Sequence, residues 1–253
     1  MLQLMFAVFL TGGYDMRIEW SELAVHFFGP VDITSEPTTR SEIMASLDSL
    51  LAVTPLDAER TLGDAVRRSQ DADNYFETSL AYPQVVSTRY STSGEILNEY
   101  SISLFGPFLE EFIPRSYGVN LRTGNESIDT TSEEITTSIP ITGFVIDARG
   151  TGFNPAIFPR ILDSQGRVIL DASMVKRSQI LERGYIKYAY TPRQALETRE
   201  LGLNPLRIVA ERAEGRNRSN IVLNSEDATL VTSSALNQKL LTECRVIVIV
   251  DEN

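Results

Sequence analysis

Two different spacings of apolar residues along the chain predict a protein that mixes helices and strands. Residues 39–52 carry apolar side chains three and four positions apart, which places them on one face of a helix. Residues 96–104 instead alternate, with Tyr100 and Ile102 on one side and Glu99 on the other. Such alternation is typical of a strand in a sheet that buries one face. The pattern therefore indicates the α+β class.

The same spacings assign further elements, and turn residues separate them. Strands are predicted at 16–28, 85–90, 96–104, 143–148, 156–162, 168–170, 206–213, 221–223 and 245–250. Helices are predicted at 39–52, within 57–81, from Thr191 with Pro192 in the first turn, and from Ser225 as a capping residue. The strand at 245–250 is apolar except for its first residue, so we expect it at the centre of a sheet.

A segment without a regular period divides the chain into two domains. Residues 114–140 include the run GNESIDTTSEEITTS, which is rich in Ser, Thr and acidic residues. Such a composition is typical of a linker. We therefore predict an N-terminal domain at 14–113 and a C-terminal domain at 141–253. Each is expected to be a mostly antiparallel sheet with helices packed on one side.

The first residues suggest export. The run LQLMFAVFL at 2–10 contains one polar side chain, Gln3. It is too short to span a bilayer as a helix, which needs roughly 20 apolar residues, but it has the length of a signal-peptide core. We interpret residues 1–13 as the remnant of an export signal, and the alternative is a buried first strand. Gly13 stands where a lipoprotein carries its lipidated Cys, so no lipidation is expected there.

Composition excludes several classes of function. The net charge of −11 and the isoelectric point near 4.7 oppose binding to phosphate backbones, so no nucleic-acid partner is expected. One Cys and one His cannot form an intramolecular disulfide or a Cys/His zinc site. The sequence also lacks the calcium-loop pattern of acids around a glycine. We therefore predict no metal and no cofactor.

Two short motifs suggest chemistry, but both are incomplete. Gly150-Thr151-Gly152 follows a predicted strand, yet it lacks the third glycine of a dinucleotide loop and the Gly-Lys-Ser/Thr ending of a P-loop. A plain turn is favoured there. Ser173 and Lys176 match the S-x-x-K signature of serine acyl transfer, but no K-T-G element accompanies them. A chance match is the favoured interpretation.

The only His and the only Cys lie in apolar surroundings. His26 stands in a predicted strand, and a Ser–His–acid triad would have to use it. An outward-facing or hydrogen-bonded strand histidine is favoured. Cys244 precedes the last strand, and a small buried core residue is favoured over a nucleophile, which would need a basic partner.

Acidic residues leave one enzymatic class open. Carboxylates are plentiful, so counting alone does not exclude a two-acid glycosidase. Asp147 and Arg149 fall on the same face of a strand by period two, which favours an ion pair or an interface contact. Asn125 and Asn217 begin N-x-S sequences, which accept glycans in a eukaryotic secretory setting. No catalytic, cofactor-binding or metal-binding residue is therefore assigned.

Seven segments, in order along the chain, match the sequence pattern of a known protein family. They lie at 18–29, 85–94, 142–150, 154–161, 204–206, 221–228 and 244–251, and the block TGFVIDARG at 142–150 is the most specific of them. Together they resemble the bacterial Lpp-twenty outer-membrane lipoprotein family, which includes flagellar assembly protein P. The resemblance covers most of the chain after residue 16. The sequence departs from the family in having Gly13 in place of the lipidated Cys and in its acidic linker.

The resemblance implies a non-catalytic, exported protein of the bacterial periplasm or outer membrane. Flagellar members form rings around the motor, so it implies envelope or flagellar motor proteins as partners. Because edge strands of sheets are natural subunit contacts, we also expect a homo-oligomer. Two alternatives stay open: a peptidoglycan- or carbohydrate-binding module that uses exposed tyrosines, and a hydrolase that uses a carboxylate pair or Ser173 with Lys176.

Overall fold

The computed structural model describes residues 14–33, 37–90, 94–114 and 140–252, which form two compact units. The first unit comprises residues up to 54 together with 61–111, and the second comprises 55–60 together with the chain from 112 onward. Helices and strands occur in both units, which confirms the α+β class. The predicted export remnant at 1–13 lies outside the described residues, as does all but the two ends of the predicted linker at 114–140.

In its described residues, the first unit is a four-stranded sheet with four helices. Its elements are β1 (Met16–Glu19), β2 (Ala24–Pro30), α1 (Pro37–Val53), α2 (Leu62–Val66), α3 (Gln70–Ala81), β3 (Gln84–Tyr90), β4 (Ile96–Ser103) and α4 (Pro107–Phe112). The strand order is β1-β2-β4-β3, and every pairing is antiparallel, as expected. The predicted helix at 39–52 and the predicted hairpin at 85–104 are confirmed.

Two predictions for this unit merged elements that the structure separates. The predicted strand at 16–28 is a hairpin of β1 and β2, and the chain reverses at Leu23, whose φ is +52°. The predicted helix within 57–81 is two helices, α2 and α3. Gly63 of α2 lies so close to α1 that an added Cβ would stand 2.9 Å from the Ala52 Cα, so the short α2 contacts α1 by its backbone.

Aromatic side chains build the core of the first unit. The Phe27 and Tyr100 rings stack with centroids 5.3 Å apart, and the Phe76 and Phe108 rings lie 4.9 Å apart. The Tyr100 hydroxyl donates to the Pro30 carbonyl oxygen at 2.6 Å, so this buried ring also satisfies its polar atom. The core therefore lies on the face of the sheet that carries Phe27 and Tyr100.

The described part of the second unit contains two four-stranded sheets. Its elements are β5 (Phe144–Asp147), β6 (Arg160–Leu162), β7 (Val168–Leu170), α5 (Arg177–Arg183), β8 (Lys187–Ala189), α6 (Pro192–Leu196), β9 (Leu206–Val209), β10 (Arg212–Glu214), β11 (Asn220–Val222), α7 (Ser225–Thr232), α8 (Ala235–Thr242) and β12 (Val246–Ile249). The sheets have the orders β8-β12-β5-β9 and β10-β11-β6-β7. The inner position of β12 confirms the prediction for the apolar strand at 245–250.

The strand directions correct one part of the expected architecture. A mostly antiparallel sheet was expected here, but the β8-β12-β5-β9 sheet is parallel in all three pairings. The second sheet is mixed, with one parallel pairing between two antiparallel ones. Parallel neighbours need long crossover connections, and the segments between these four strands contain helices that supply them. Alternation along a strand identifies its buried face but not the direction of its neighbours.

Other boundaries in the second unit also differ from the predictions. The predicted strand at 156–162 is limited to β6. The predicted strand at 206–213 is divided, because the chain changes sheets after β9: Ala210 N donates to the Asp147 oxygen in one sheet, and Glu211 N donates to the Val222 oxygen in the other. The Thr191 cap is confirmed, whereas the cap of α7 is Asn224 and not Ser225.

A short segment from the first half of the sequence packs within the second unit. Phe158 N donates to the Leu56 oxygen at 2.7 Å, and Asn217 N donates to the Ala58 oxygen at 2.8 Å. The Asn217 side-chain amide donates to the carbonyl oxygens of Asp57 and Arg60 at 2.9 and 3.0 Å. Residues 55–60 therefore form part of the second unit although helices of the first unit flank them in sequence.

Candidate assembly surface

Among the described residues, strand β3 is an edge strand with exposed side chains on both faces. It has seven residues and lies at the end of its sheet, and six of the seven are exposed, with Ser87 half-buried. An edge strand turns every second backbone N–H and C=O away from its only neighbour, and such a row of groups can pair with a strand from another chain. This strand thus offers a template for association.

Three of the seven side chains of β3 are exposed and apolar or aromatic, namely Val85, Val86 and Tyr90. Val86 is 51% exposed and Tyr90 is 77% exposed, while Tyr82 just before the strand is 85% exposed. The only charged residue of β3 is Arg89, whose guanidinium lies 4.3 Å from the centre of the Phe28 ring. Monomeric proteins protect long edges with charges, prolines or strong irregularities. The pairing register shifts between Val85 and Ser87, so this strand contains one such irregularity, a bulge at Val86.

A polar network on the outer face of the sheet connects β3 to the other three strands. The Glu99 carboxylate of β4 accepts from Arg17 Nη2 at 2.9 Å and from the Ser87 hydroxyl at 2.8 Å. His26 Nδ1 lies 3.3 Å from Glu99 Oε1, and both side chains are buried. Ser87 belongs to β3 and Arg17 to β1, which are the two edge strands. The Glu99 carboxylate therefore links both edge strands to the inner strand β4.

The network keeps the Glu99 carboxylate ionised. Burial alone would raise the pKa of Glu99, but hydrogen bonds from Ser87 and His26 and the charge of Arg17 outweigh it. The pKa of this carboxyl therefore lies below its ordinary value. A charged Glu99 is a stronger acceptor than a neutral one, so ionisation stabilises the position of β3.

The same residues have the connectivity of a Ser–His–acid triad. His26 Nε2 lies 3.3 Å from the Ser101 hydroxyl, while Nδ1 faces Glu99. However, the Glu22 carboxylate also lies 3.3 Å from Nε2 and competes for it. Ser101 is in the inner strand β4, where backbone N–H groups bond to neighbouring strands and do not form an oxyanion hole. The arrangement is that of a hydrogen-bonded strand histidine, one of the two states that the sequence predicts.

The remaining candidate residues have structural contacts. The Ser173 backbone N–H donates to Asp171 at 2.8 Å and its hydroxyl also bonds to that carboxylate, while Lys176 is exposed at the start of α5. Cys244 is buried, and burial raises the pKa of its thiol to about 12. A thiol with this pKa is a poor nucleophile at neutral pH.

The motif after β5 forms the turn that the sequence predicts. Arg218 donates to the carbonyl oxygens of Thr151 and Gly152 at 2.7 and 3.0 Å, so protein groups already occupy this loop. Asp147 and Arg149 form the expected ion pair, with two contacts of 2.8 and 2.5 Å. Hydrogen bonds from Arg149 hold the pKa of Asp147 below its usual range.

Of the two glycosylation motifs, only the one that begins at Asn217 lies in the described part of the chain. Asn217 uses its side-chain amide to hold residues 55–60, as described above, and Asn125 lies outside the described residues.

Within residues 14–33, 37–90, 94–114 and 140–252, no group of three or more His, Cys, Asp or Glu side chains is arranged to hold a metal ion. In the same ranges, no helix combines the length and hydropathy needed to cross a bilayer.

Sequence reasoning did not single out β3 as a surface. It predicted the strand and its hairpin, but alternation in β4 suggested one buried face for both strands. A signal was present, because the segment QVVSTRY contains one charged residue and follows Pro83. Low charge in a strand beside a proline is compatible with an edge position, but only the strand order shows that β3 is at the edge.

Comparison with known proteins adds one match. Residues 143–252 match the family model described as Treponema pallidum Tp0624, second domain. The matched range lies entirely within the second unit, and a model built on a second domain agrees with the two-domain organisation of this chain. No curated protein matches the chain. The second unit is therefore similar to the second domain of Tp0624, while the resemblance to the Lpp-twenty family stays a prediction.

Proposed function

We propose that this protein is a non-catalytic structural subunit of the bacterial cell envelope, located in the periplasm or at the outer membrane. It assembles with copies of itself into a ring or disk around a flagellar motor. The observation that carries this proposal is the edge strand β3, which leaves its backbone edge open and exposes Val85, Val86 and Tyr90.

Three further observations support the proposal. The candidate nucleophiles and the single His are held in structural contacts, so the described residues offer no coherent catalytic set. Seven segments resemble an envelope family whose flagellar members form rings. The model that matches the second unit is named for a protein of Treponema pallidum, a bacterium.

Light scattering after size exclusion tests the assembly. We expect the full chain to form a large, uniform oligomer and Val86→Asp to reduce its mass by at least half, because a charge at this edge must be desolvated on pairing. Val86 is half-exposed, so the substitution is expected to change the free energy of unfolding by only about 0.5 kcal/mol.

Val53→Asp is the matched control, since Val53 is 72% exposed in the same unit but lies at the end of α1. It should leave the mass unchanged. A wild-type protein that stays monomeric at high concentration would contradict the proposed function. An equal loss of mass in both variants would show that β3 is not the contact.

A second function is favoured by the exposed tyrosines at the two ends of β3. Tyr82 and Tyr90 are both more than three-quarters exposed, and aromatic rings in such positions can stack on sugar rings. If the protein is a peptidoglycan-binding module, it should be retained on purified peptidoglycan, and Tyr82→Ala with Tyr90→Ala should reduce retention at least tenfold. Retention that is the same for the double variant and for Val53→Asp would exclude this role of the tyrosines.

A further inference from the structure

His26 of the inner strand β2 lies between two carboxylates that come from different elements. Its Nδ1 is 3.3 Å from Glu99 Oε1 of β4, and its Nε2 is 3.3 Å from Glu22 Oε2 in the turn between β1 and β2. The His26 side chain is 5% exposed, so solvent screens these contacts only weakly. A ring nitrogen must carry a hydrogen to bond a carboxylate, and the neutral imidazole has only one. Both contacts are therefore hydrogen bonds only when the ring is protonated.

The ionised Glu99 fixes the hydrogen of the neutral ring on Nδ1. A carboxylate only accepts, so Nδ1 donates to it and Nε2 keeps its lone pair. The Ser101 hydroxyl lies 3.3 Å from Nε2 and can donate to that lone pair. The Glu22 carboxylate cannot donate, and its negative charge is repelled by the lone pair. The neutral ring thus bonds to side chains of β4 and not to the turn.

Proton uptake gives Nε2 a hydrogen that Glu22 can accept. A hydrogen bond between a charged donor and a charged acceptor is stronger than one to a neutral hydroxyl, so Glu22 becomes the preferred partner of Nε2. Glu22 belongs to the turn at 20–23, in which Leu23 has a φ of +52°. Leucine rarely adopts this left-handed region. A bond from His26 therefore stabilises a turn whose own backbone favours other conformations.

The other charged side chains on this face of the sheet have contacts of their own. They are Arg17, which donates to Glu99, Glu19, which accepts from the Ser21 hydroxyl, and Arg89, which lies over the Phe28 ring. The aromatic core lies on the opposite face. Carboxylates ordinarily titrate near pH 4 and arginines above about pH 12. Histidine is the side chain that ordinarily changes its charge between about pH 8 and pH 5, so a response of the turn in that range reports on His26.

We propose that His26 is a pH switch for the turn at residues 20–23: a proton taken up at Nε2 binds Glu22 to the sheet, and loss of that proton releases it. The proton comes from water and returns to it, so only hydrogen bonds change. The inference goes beyond the proposed assembly and does not depend on it, because every group involved belongs to one copy of the chain. The turn should be held more firmly at about pH 5.5 than at about pH 8.

Amide exchange in the full chain, measured by NMR, tests the switch. The Glu22 N–H donates to the Glu19 oxygen within the turn, so its protection from exchange reports how firmly the turn is held. After correction for the intrinsic effect of pH on exchange, we expect about threefold higher protection at pH 5.5 than at pH 8. The chain contains one His, so its ring signal in the same samples follows the proton uptake directly.

Three variants separate the switch from a general effect of charge. Glu22→Gln supplies an amide that can donate to the neutral ring and accept from the charged one, so it should remove the difference between the two pH values. His26→Gln does not titrate and should also remove it. Asp15→Asn is the matched control, because it deletes an exposed acid just before β1, at the end of the strand away from the turn. It should keep the full difference.

The outcomes decide for or against the switch. A difference in protection in the wild type and in Asp15→Asn that is lost in Glu22→Gln would support it. Equal protection at both pH values in the wild type would overturn it, and so would a difference that persists in Glu22→Gln. A ring signal that stays constant between pH 8 and pH 5 would overturn it as well. Glu22 is 61% exposed, so Glu22→Gln is expected to fold and the test does not depend on His26→Gln.

Discussion

Replacing Glu99 with alanine is expected to lower the free energy of unfolding of the first unit by about 2–4 kcal/mol. The substitution removes an ionised acceptor that Arg17, Ser87 and His26 share in the buried network. Hydrogen bonds to charged groups contribute about 1.5–3 kcal/mol, and a buried partner left without its acceptor adds a desolvation cost. Arg17 can reach water, which limits the loss. Denaturant unfolding followed by circular dichroism measures the effect.

The same network predicts a dependence on pH. The pKa of Glu99 is lower in the folded chain than its ordinary value of 4.5. Its stabilising contribution is therefore complete above that ordinary pKa and is lost as the pH falls through the folded value. The wild-type protein should therefore lose stability more steeply than Glu99→Ala between about pH 5 and pH 3. Parallel slopes for the two proteins would show that the carboxylate does not supply this stability.

Glu22→Ala is the control for Glu99→Ala. Glu22 also lies 3.3 Å from the His26 ring, but its side chain is 61% exposed. Exposed charge pairs contribute about 0–1 kcal/mol, so this variant should be close to wild type. Because Ser87 connects β3 to Glu99, the loss of Glu99 should also weaken assembly, whereas the loss of Glu22 should not. Equal destabilisation by both substitutions would contradict the central role given to Glu99.

Replacing Gly215 with alanine is expected to destabilise the second unit by about 2–5 kcal/mol. Gly215 has a φ of +91°, where a side chain costs roughly 1–2 kcal/mol. The added Cβ would also stand 2.6 Å from the Ala58 Cβ, and such overpacking costs typically about 1–3 kcal/mol. The clash falls on the segment 55–60, which should be displaced from the second unit. Thermal unfolding and hydrogen exchange at residues 55–60 measure the two consequences.

Two variants separate the backbone strain from the clash. Gly166 has a similar φ of +79°, and an added Cβ there meets nothing within 4 Å, so Gly166→Ala should show the backbone cost alone. Ala58→Gly removes the atom that Gly215→Ala would strike, so the double variant should recover part of the loss. If the double variant is as unstable as the sum of the two single variants, the proposed contact with Ala58 is wrong.

Local periodicity was sufficient for the elements whose burial depends on their own sequence. The helix at 39–52 was predicted because Ile43, Leu47 and Leu51 recur on one face, and all three are buried in α1. The apolar run at 245–250 predicted an inner strand, since a strand that is apolar on both faces needs neighbours on both sides. The roles of turn and cap residues such as Thr191 could also be predicted, because these residues contact backbone atoms only a few positions away.

The candidate surface depended on partners that are remote in sequence. The pattern of β3 and β4 predicted a hairpin, but it could not say that β2 would pair with the far side of β4 and leave β3 at the edge. Likewise, nothing local to His26 or Glu99 indicates that they meet across 73 positions. Contacts of this kind arise when strands align in a sheet, and many alignments satisfy the same alternation.

By itself, the sequence determined the α+β class, most helices and strands, the inner position of β12 and the acidic character of the chain. Only the tertiary structure decided the parallel direction of β8, β12, β5 and β9, the packing of residues 55–60 in the second unit, and the exposure of β3. The physical reason is common to all three. Side-chain periodicity specifies which face of an element avoids water, whereas direction, partner and edge position depend on the free energy of contacts between distant segments.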